Sequence, residues 1–180
     1  MKTDPSLTHL SRRSFIKITA AWTGGLWLVG VPAEIPSSYR LFTREEAEIM
    51  DILANCIIPP GEFAGGEEAG VTNFIDQQIS IDGYLKEDSR LYKTCLPALN
   101  RTPFNKYGKH FLNLDESNRI EYLKKIESGV YNESSEAALW EPYAPSQFFS
   151  TVIDHCMMGF YGSPEHGGNK NYVSYRMIRF

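Results

Sequence analysis

An all-α domain of about five helices is what this sequence predicts. Three observations carry that reading. Apolar residues recur at three- and four-residue spacing in successive windows. No run alternates apolar and polar residues, and no strand–helix alternation appears. Clusters of Gly and Pro separate the periodic windows, as loops do. The order along the chain is a signal segment over residues 1–33, a linker over 34–42, and a single helical domain over 43–180.

The signal segment rests on Ser11-Arg12-Arg13-Ser14-Phe15-Ile16-Lys17. Arg12 and Arg13, with Phe15 and Lys17 behind them, precede an apolar run from Ile18 to Val31. That is the pattern of a twin-arginine export signal. The run is shorter than the roughly 20 residues that span a bilayer, so it reads as a targeting segment rather than an anchor. Val31-Pro32-Ala33 only distantly matches an A-x-A cleavage site, which leaves both a cleaved and a retained signal open. No Cys follows the run directly, so lipid anchoring is not indicated. The twin-arginine route carries proteins that fold before they cross. The expected location is therefore the periplasm, with membrane association through a retained signal or a complex, and the twin-arginine translocase is an expected partner.

Pro32, Pro36 and two serines argue for an extended linker. The first helix then opens with Thr43 as N-cap and Glu46 three residues on, a capping box, with Phe42 placed to staple onto Ala47. Ala47, Met50, Leu53, Ala54 and Ile57 give its apolar face, and Pro59-Pro60-Gly61 stops it. Residues 59–70, rich in Gly and Glu, read as a surface loop with little order of its own. The second helix spans Val71 to Ile79, with Val71, Phe74, Ile75 and Ile79 inward. Asp82-Gly83 marks a turn. The third runs from Leu85 to Leu99 on Leu85, Leu91, Tyr92, Cys95, Leu96 and Leu99, with Pro97 expected to kink or end it. A loop with Pro103 and Gly108 leads to Asp115 as the next N-cap. Ile120, Leu123 and Ile126 form the stripe of the fourth helix, Glu121 and Lys125 pair outside it, and Gly129 closes it. Ser146 is the expected cap of a last long helix, apolar almost all round through Phe148, Phe149, Val152, Ile153, Cys156, Met157 and Phe160. Such a helix is central to a core or buried under a partner.

Net charge is −4, and no basic cluster persists beyond the signal, which excludes nucleic acid as a natural partner. The chain has no GxGxxG, GxxxxGK[ST], HExxH or GxSxG. Cys56, Cys95 and Cys156 have no metal-knuckle or haem-attachment spacing; either two of them pair or all are packed thiols. The acidic pairs Glu45-Glu46 and Glu67-Glu68 are better explained by helix-dipole stabilisation and solubility than by acid–base catalysis. No catalytic, cofactor-binding or metal residue is assigned. A small metal-dependent enzyme would have to draw on His110, His155, His166 and Asp154, which nothing in the sequence brings together.

The C-terminal end is distinctive. Tyr161-Gly162-Ser163-Pro164-Glu165-His166-Gly167-Gly168-Asn169 is a polar, Gly-rich loop before an aromatic end. It reads as a tight loop folding the terminus onto the core, or as a docking loop. Trp140, Tyr143, Phe148, Phe149, Tyr161, Gly167, Gly168, Asn169, Tyr172 and Tyr175 are the candidate interface residues; the aromatics among them serve either a partner or this domain's own core.

Taken in order, several short motifs resemble the gluconate 2-dehydrogenase subunit 3 family, the small or gamma chain of FAD-dependent sugar dehydrogenase complexes. They are the twin-arginine start, Phe42-Thr43-Arg44-Glu45-Glu46, Ile57-Ile58-Pro59, Gly70-Val71 leading to Phe74-Ile75-Asp76, and Tyr161-Gly162…Gly167-Gly168-Asn169. The resemblance covers about residues 40–180. It implies a non-catalytic subunit that binds no cofactor itself. Its partner would be a large flavoprotein of the glucose–methanol–choline type that holds FAD, with a cytochrome c subunit carrying haem as electron acceptor. The small subunit would supply the export signal and act as folding companion. A free-standing periplasmic binding or scaffold protein is the alternative.

Overall fold

The computed structural model describes residues 38–129 and 134–178. Arg12, Arg13, Phe15 and Lys17 lie outside the described residues. Among the described residues there is helix, turn and loop and no strand. Five helices have nine residues or more: α1 (Arg44–Ile57), α2 (Val71–Ile79), α3 (Ser89–Arg101), α5 (Glu116–Ser128) and α7 (Pro145–Tyr161). Between and after them come the short turns of helix α4 (Phe104–Tyr107), α6 (Ser134–Ala137) and α8 (Val173–Met177).

The hub is α7. It packs against α1, α2, α3, α5 and α8. Its inward face is Phe148, Phe149, Val152, His155, Cys156, Gly159 and Phe160, while Met157 and Met158 turn outward. An apolar helix with neighbours on most sides is the centre of a core. Gly159 is there because α2 comes close: a Cβ would lie 2.7 Å from the Phe74 ring.

Sequence chemistry explains most element ends. At α1 the Thr43 hydroxyl accepts from the Glu46 N–H and the Glu46 carboxylate accepts from the Thr43 N–H, which completes the capping box. Phe42 and Ala47 are both buried, as a staple requires. Asp115 caps α5 through the Asn118 N–H, and Gly129 closes it in the left-handed region. The pair of Glu121 with Lys125 forms, and Lys106 joins it from α4.

Three local expectations are corrected, and one of the two alternatives for Pro97 is removed. Pro97 does not end α3, which runs on to Arg101. Pro97 is exposed, and the buried Cys95, Leu96, Ala98 and Leu99 around it hold the helix against the lost hydrogen bond. Ser146 does not cap α7: the helix begins one residue earlier at Pro145, whose fixed φ suits a first helical position, with Ala144 as N-cap. Ile120 is 42 % exposed, because the face of α5 is set by Tyr122, Leu123 and Ile126. The loop over 59–70 has more order than its composition implies. Gly65, Gly66 and Ala69 are buried, and a Cβ at Gly66 would meet the Ala54 carbonyl at 2.6 Å.

The last residues of the expected linker belong to the domain. The Asp76 carboxylate, itself buried, accepts from the backbone N–H groups of Arg40, Leu41 and Phe42 at 2.6, 2.9 and 2.8 Å. Three charge-assisted bonds on one carboxylate fix the entry of the chain against α2.

Candidate functional site

The C-terminal segment forms a strap across the start of α2 and the end of α7. Asn169 is its knot. It is fully buried, with φ 44°. Its N–H donates to the Gly159 carbonyl, its amide NH₂ donates to the Gly162 carbonyl, and its side-chain oxygen accepts from the Ser174 N–H. A short amide side chain tolerates the left-handed region and serves three segments at once. Further out, the Lys170 N–H donates to the Ala69 carbonyl and the Asn73 side chain donates to the Gly167 carbonyl. Gly167 (φ 97°) and Gly168 permit this closeness: a Cβ on Gly168 would stand 2.2 Å from the Gly159 carbonyl oxygen.

Between strap, α2 and α1 lies an open cleft of about 510 Å³. Asp51 of α1, Glu67, Thr72, Asn73, Lys170 and Tyr39 contribute its polar groups. Burial is the main cause that raises the Asp51 carboxyl above its ordinary value. The Thr72 hydroxyl pulls the other way, and the charges of Glu67 and Glu48 raise it further. Burial and then the carboxylates of Asp51, Asp76 and Glu67 push the Tyr39 hydroxyl up too. Two carboxylates, of Asp51 and Glu67, and the Lys170 ammonium thus share the lining of the cleft.

The structure divides the candidate interface residues into two groups. Tyr161, Gly167, Gly168, Asn169, Tyr172 and Tyr175 meet in or beside the strap. Tyr161 and Tyr172 are 54 % and 58 % exposed, and Tyr172 holds φ 58°, a rare value for an aromatic residue. Trp140, Phe148 and Phe149 lie in this chain's own core, with Tyr143 packed half-buried against it. There Phe148 stands between Trp140 and Tyr92, ring centroids 6.0 and 5.7 Å away. The cleft residues Tyr39, Asp51, Thr72 and Asn73 carried no sequence signal of their own. They come from three local patterns, the segment before α1, α1 itself and the first turn of α2, and only the fold collects them.

All three thiols are free; Cys95 and Cys156 are buried and Cys56 is half-buried. Among the described residues no group of three His, Cys, Asp or Glu is placed to hold a metal ion. His155 pairs instead with Tyr92, and His110 stacks on Phe104. Among the described residues no helix is long and apolar enough to cross a membrane.

The short motifs of the chain touch one another. Phe42, before the capping box, donates its N–H to Asp76 of the Gly70-to-Asp76 motif, and a Cβ on Gly70 would lie 3.4 Å from the Gly167 carbonyl of the last. The family model described as Gluconate 2-dehydrogenase subunit 3 matches residues 44–180, from the first turn of α1 to the last residue. The chain belongs to the gluconate 2-dehydrogenase subunit 3 family. Neither the curated proteins nor the solved structures contain a match. As a subunit 3 member the chain is a small subunit of a dehydrogenase complex. The strap and the capping box are thus the places where this subunit 3 chain closes on itself.

Proposed function

We propose that this chain is the non-catalytic small subunit of an exported FAD-dependent sugar or sugar-acid dehydrogenase. It serves as export escort, folding companion and stabiliser of a catalytic flavoprotein of the glucose–methanol–choline type. The observation that carries the reading is the family match over the helical domain. Two further features support it. The chain opens with the Arg12-Arg13 pattern of a route that carries folded cargo. The strap presents Tyr161 and Tyr172 to solvent on a rigid base, the kind of aromatic anchor that protein interfaces use. On this reading FAD, and any haem c, belong to the partner subunits, and the periplasm is the site of action. An obligate interface of this kind buries roughly 2,000 Å² or more.

Co-purification tests it. The tagged full chain, expressed with its genomic neighbours, is expected to bring down a larger polypeptide whose flavin absorbs near ~450 nm. A lone, colourless chain would sink the proposal and favour the free-standing binding protein.

A further inference from the structure

We infer that Tyr172 is held in the left-handed region so that its ring enters an apolar pocket, rimmed by carboxylates, on the catalytic flavoprotein. The inference deepens the proposed subunit role and rests on it.

Tyr172 has φ 58° and ψ 36°. A bulky side chain strains the backbone there, where Gly or Asn is at ease. The strap obeys that preference at Gly167, Asn169 and Asn171 and departs from it at Tyr172. The turn into α8 calls for a left-handed backbone but not for an aromatic side chain. Nor does the ring offset the strain inside the domain. It is 58 % exposed, its hydroxyl has no hydrogen-bond partner among the described residues, and its ring contact is with Tyr175, centroids 6.0 Å apart. Strain that the domain itself does not use points to a role outside the domain. The base of the ring is fixed. The Tyr172 N–H donates to the Asn169 carbonyl at 2.9 Å, and Asn169, Val173 and Ser174 on either side are buried. A large ring on a fixed backbone loses little freedom on docking, which is what makes a tyrosine an anchor.

Charge indicates what the anchor meets. From Gly167 to Phe180 the sequence has Lys170, Arg176 and Arg179 and no Asp or Glu, in a chain of net charge −4. Arg176 lies one turn beyond Tyr172, exposed and without an ion pair among the described residues. Lys170 shares its cleft with Asp51 and Glu67, so Arg176 is the cation that faces outward beside the ring. An apolar pocket for Tyr172, with carboxylates at its edge for Arg176, complements this end of the chain. An anionic lipid surface would attract the same cation, but it has no use for a ring fixed in one direction.

The test uses the tagged full chain co-expressed with its genomic neighbours. Recovery of the flavin-bearing polypeptide is the readout, and urea denaturation of the chain by itself is the control. Tyr172→Asn removes the ring and suits the left-handed backbone. It is expected to lower recovery by roughly tenfold or more, while the urea midpoint of the free chain stays or rises. Tyr172→Phe keeps the ring and is expected to hold recovery within about threefold of wild type. Arg176→Glu is expected to lower recovery by roughly tenfold with the midpoint unchanged. A lower midpoint for Tyr172→Asn would make the ring part of this domain's own fold and overturn the inference. Wild-type recovery with Arg176→Glu would remove the acidic rim and overturn it too. So would Tyr172-dependent binding of the free chain to vesicles of phosphatidylglycerol and phosphatidylcholine with flavoprotein recovery unaffected by Tyr172→Asn. A wild-type chain that brings down no flavoprotein defeats the proposed function and the inference with it, whereas full recovery with Tyr172→Asn defeats the inference alone.

Discussion

The Tyr92 hydroxyl lies 2.9 Å from Nδ1 of His155, with the two rings stacked at 17° in the core between α3 and α7. On its other side His155 Nε2 faces the Asp88 carboxylate at 3.6 Å. The arrangement suits a neutral imidazole with its proton on Nε2, so that Nδ1 accepts from the phenol. Tyr92 is fully buried, and burial raises its phenol well above the ordinary value, which keeps it a donor.

Stability should fall on acidification through this residue. Burial, the largest cause, lowers the His155 pKa, with Asp88 and Asp154 pulling the other way. The unfolded chain therefore takes up the proton at a higher pH than the folded one. The stabilisation is complete above the unfolded pKa of about 6.5 and is lost as pH falls through the lower folded value. Urea unfolding between about pH 7.5 and about 5 should show that slope, and His155→Gln should flatten it; an unchanged slope would count against a buried neutral imidazole. Tyr92→Phe leaves Nδ1 unpaired in the core and should cost about 1–3 kcal/mol at neutral pH.

Gly159→Ala should destabilise the chain by about 1–3 kcal/mol, because the new methyl would stand 2.7 Å from Phe74 Cδ1 and 3.0 Å from Cγ in a packed core. Phe74→Leu in that background should recover part of the loss. The two changes are in contact, so a thermal-melt double-mutant cycle should read a coupling clearly different from zero; additivity would show that the helices do not meet there.

At Asn169 two substitutions separate conformation from bonding. Asn169→Gly keeps access to φ 44° and loses the bonds to Gly162 and Ser174, for a cost of about 1–3 kcal/mol. Asn169→Ala adds left-handed strain of about 1–2 kcal/mol. Chemical denaturation should rank them wild type, Gly, Ala. Hydrogen exchange should quicken at Ser174 before it quickens in α5.

The thiols should differ in reactivity. Burial pushes Cys95 and Cys156 up to about 12, and Cys56, half-buried, is raised as well. A thiol reagent at neutral pH should reach Cys56 alone and slowly, since the thiolate is the reactive form. After denaturation all three cysteines should titrate. Fast reaction of a second thiol in the native state would contradict the packing of α3 against α7.

Local chemistry was legible where a cap or a face lies within a few residues. The Thr43–Glu46 box and the inward set of α2 are of that kind, because hydrogen bonds and periodicity act over one or two turns. Ile120 misled for the opposite reason. Tertiary burial chose Tyr122 over Ile120 for the inner face and held α3 past its proline. The family motifs were readable as a string, but what they do was not. Asp76 reaches residues 34 to 36 positions earlier, and Asn73 reaches Gly167 across 94. The cleft was invisible for the same reason. A half-buried aspartate on α1 looks like any solvated carboxylate until α2 and the strap desolvate it.

The Asp76 clamp has a mechanical consequence. Tension applied to the polypeptide ahead of Arg40 does not first reach the capping turn of α1; it meets the Arg40 bond to the Asp76 carboxylate, with those of Leu41 and Phe42 behind it. Asp76 is carried by α2, and α2 is gripped by α7, so the grip exists only in a chain whose core has already formed. A pull on the leading end would thus tow a finished domain as one body, but would simply unreel an unfinished one.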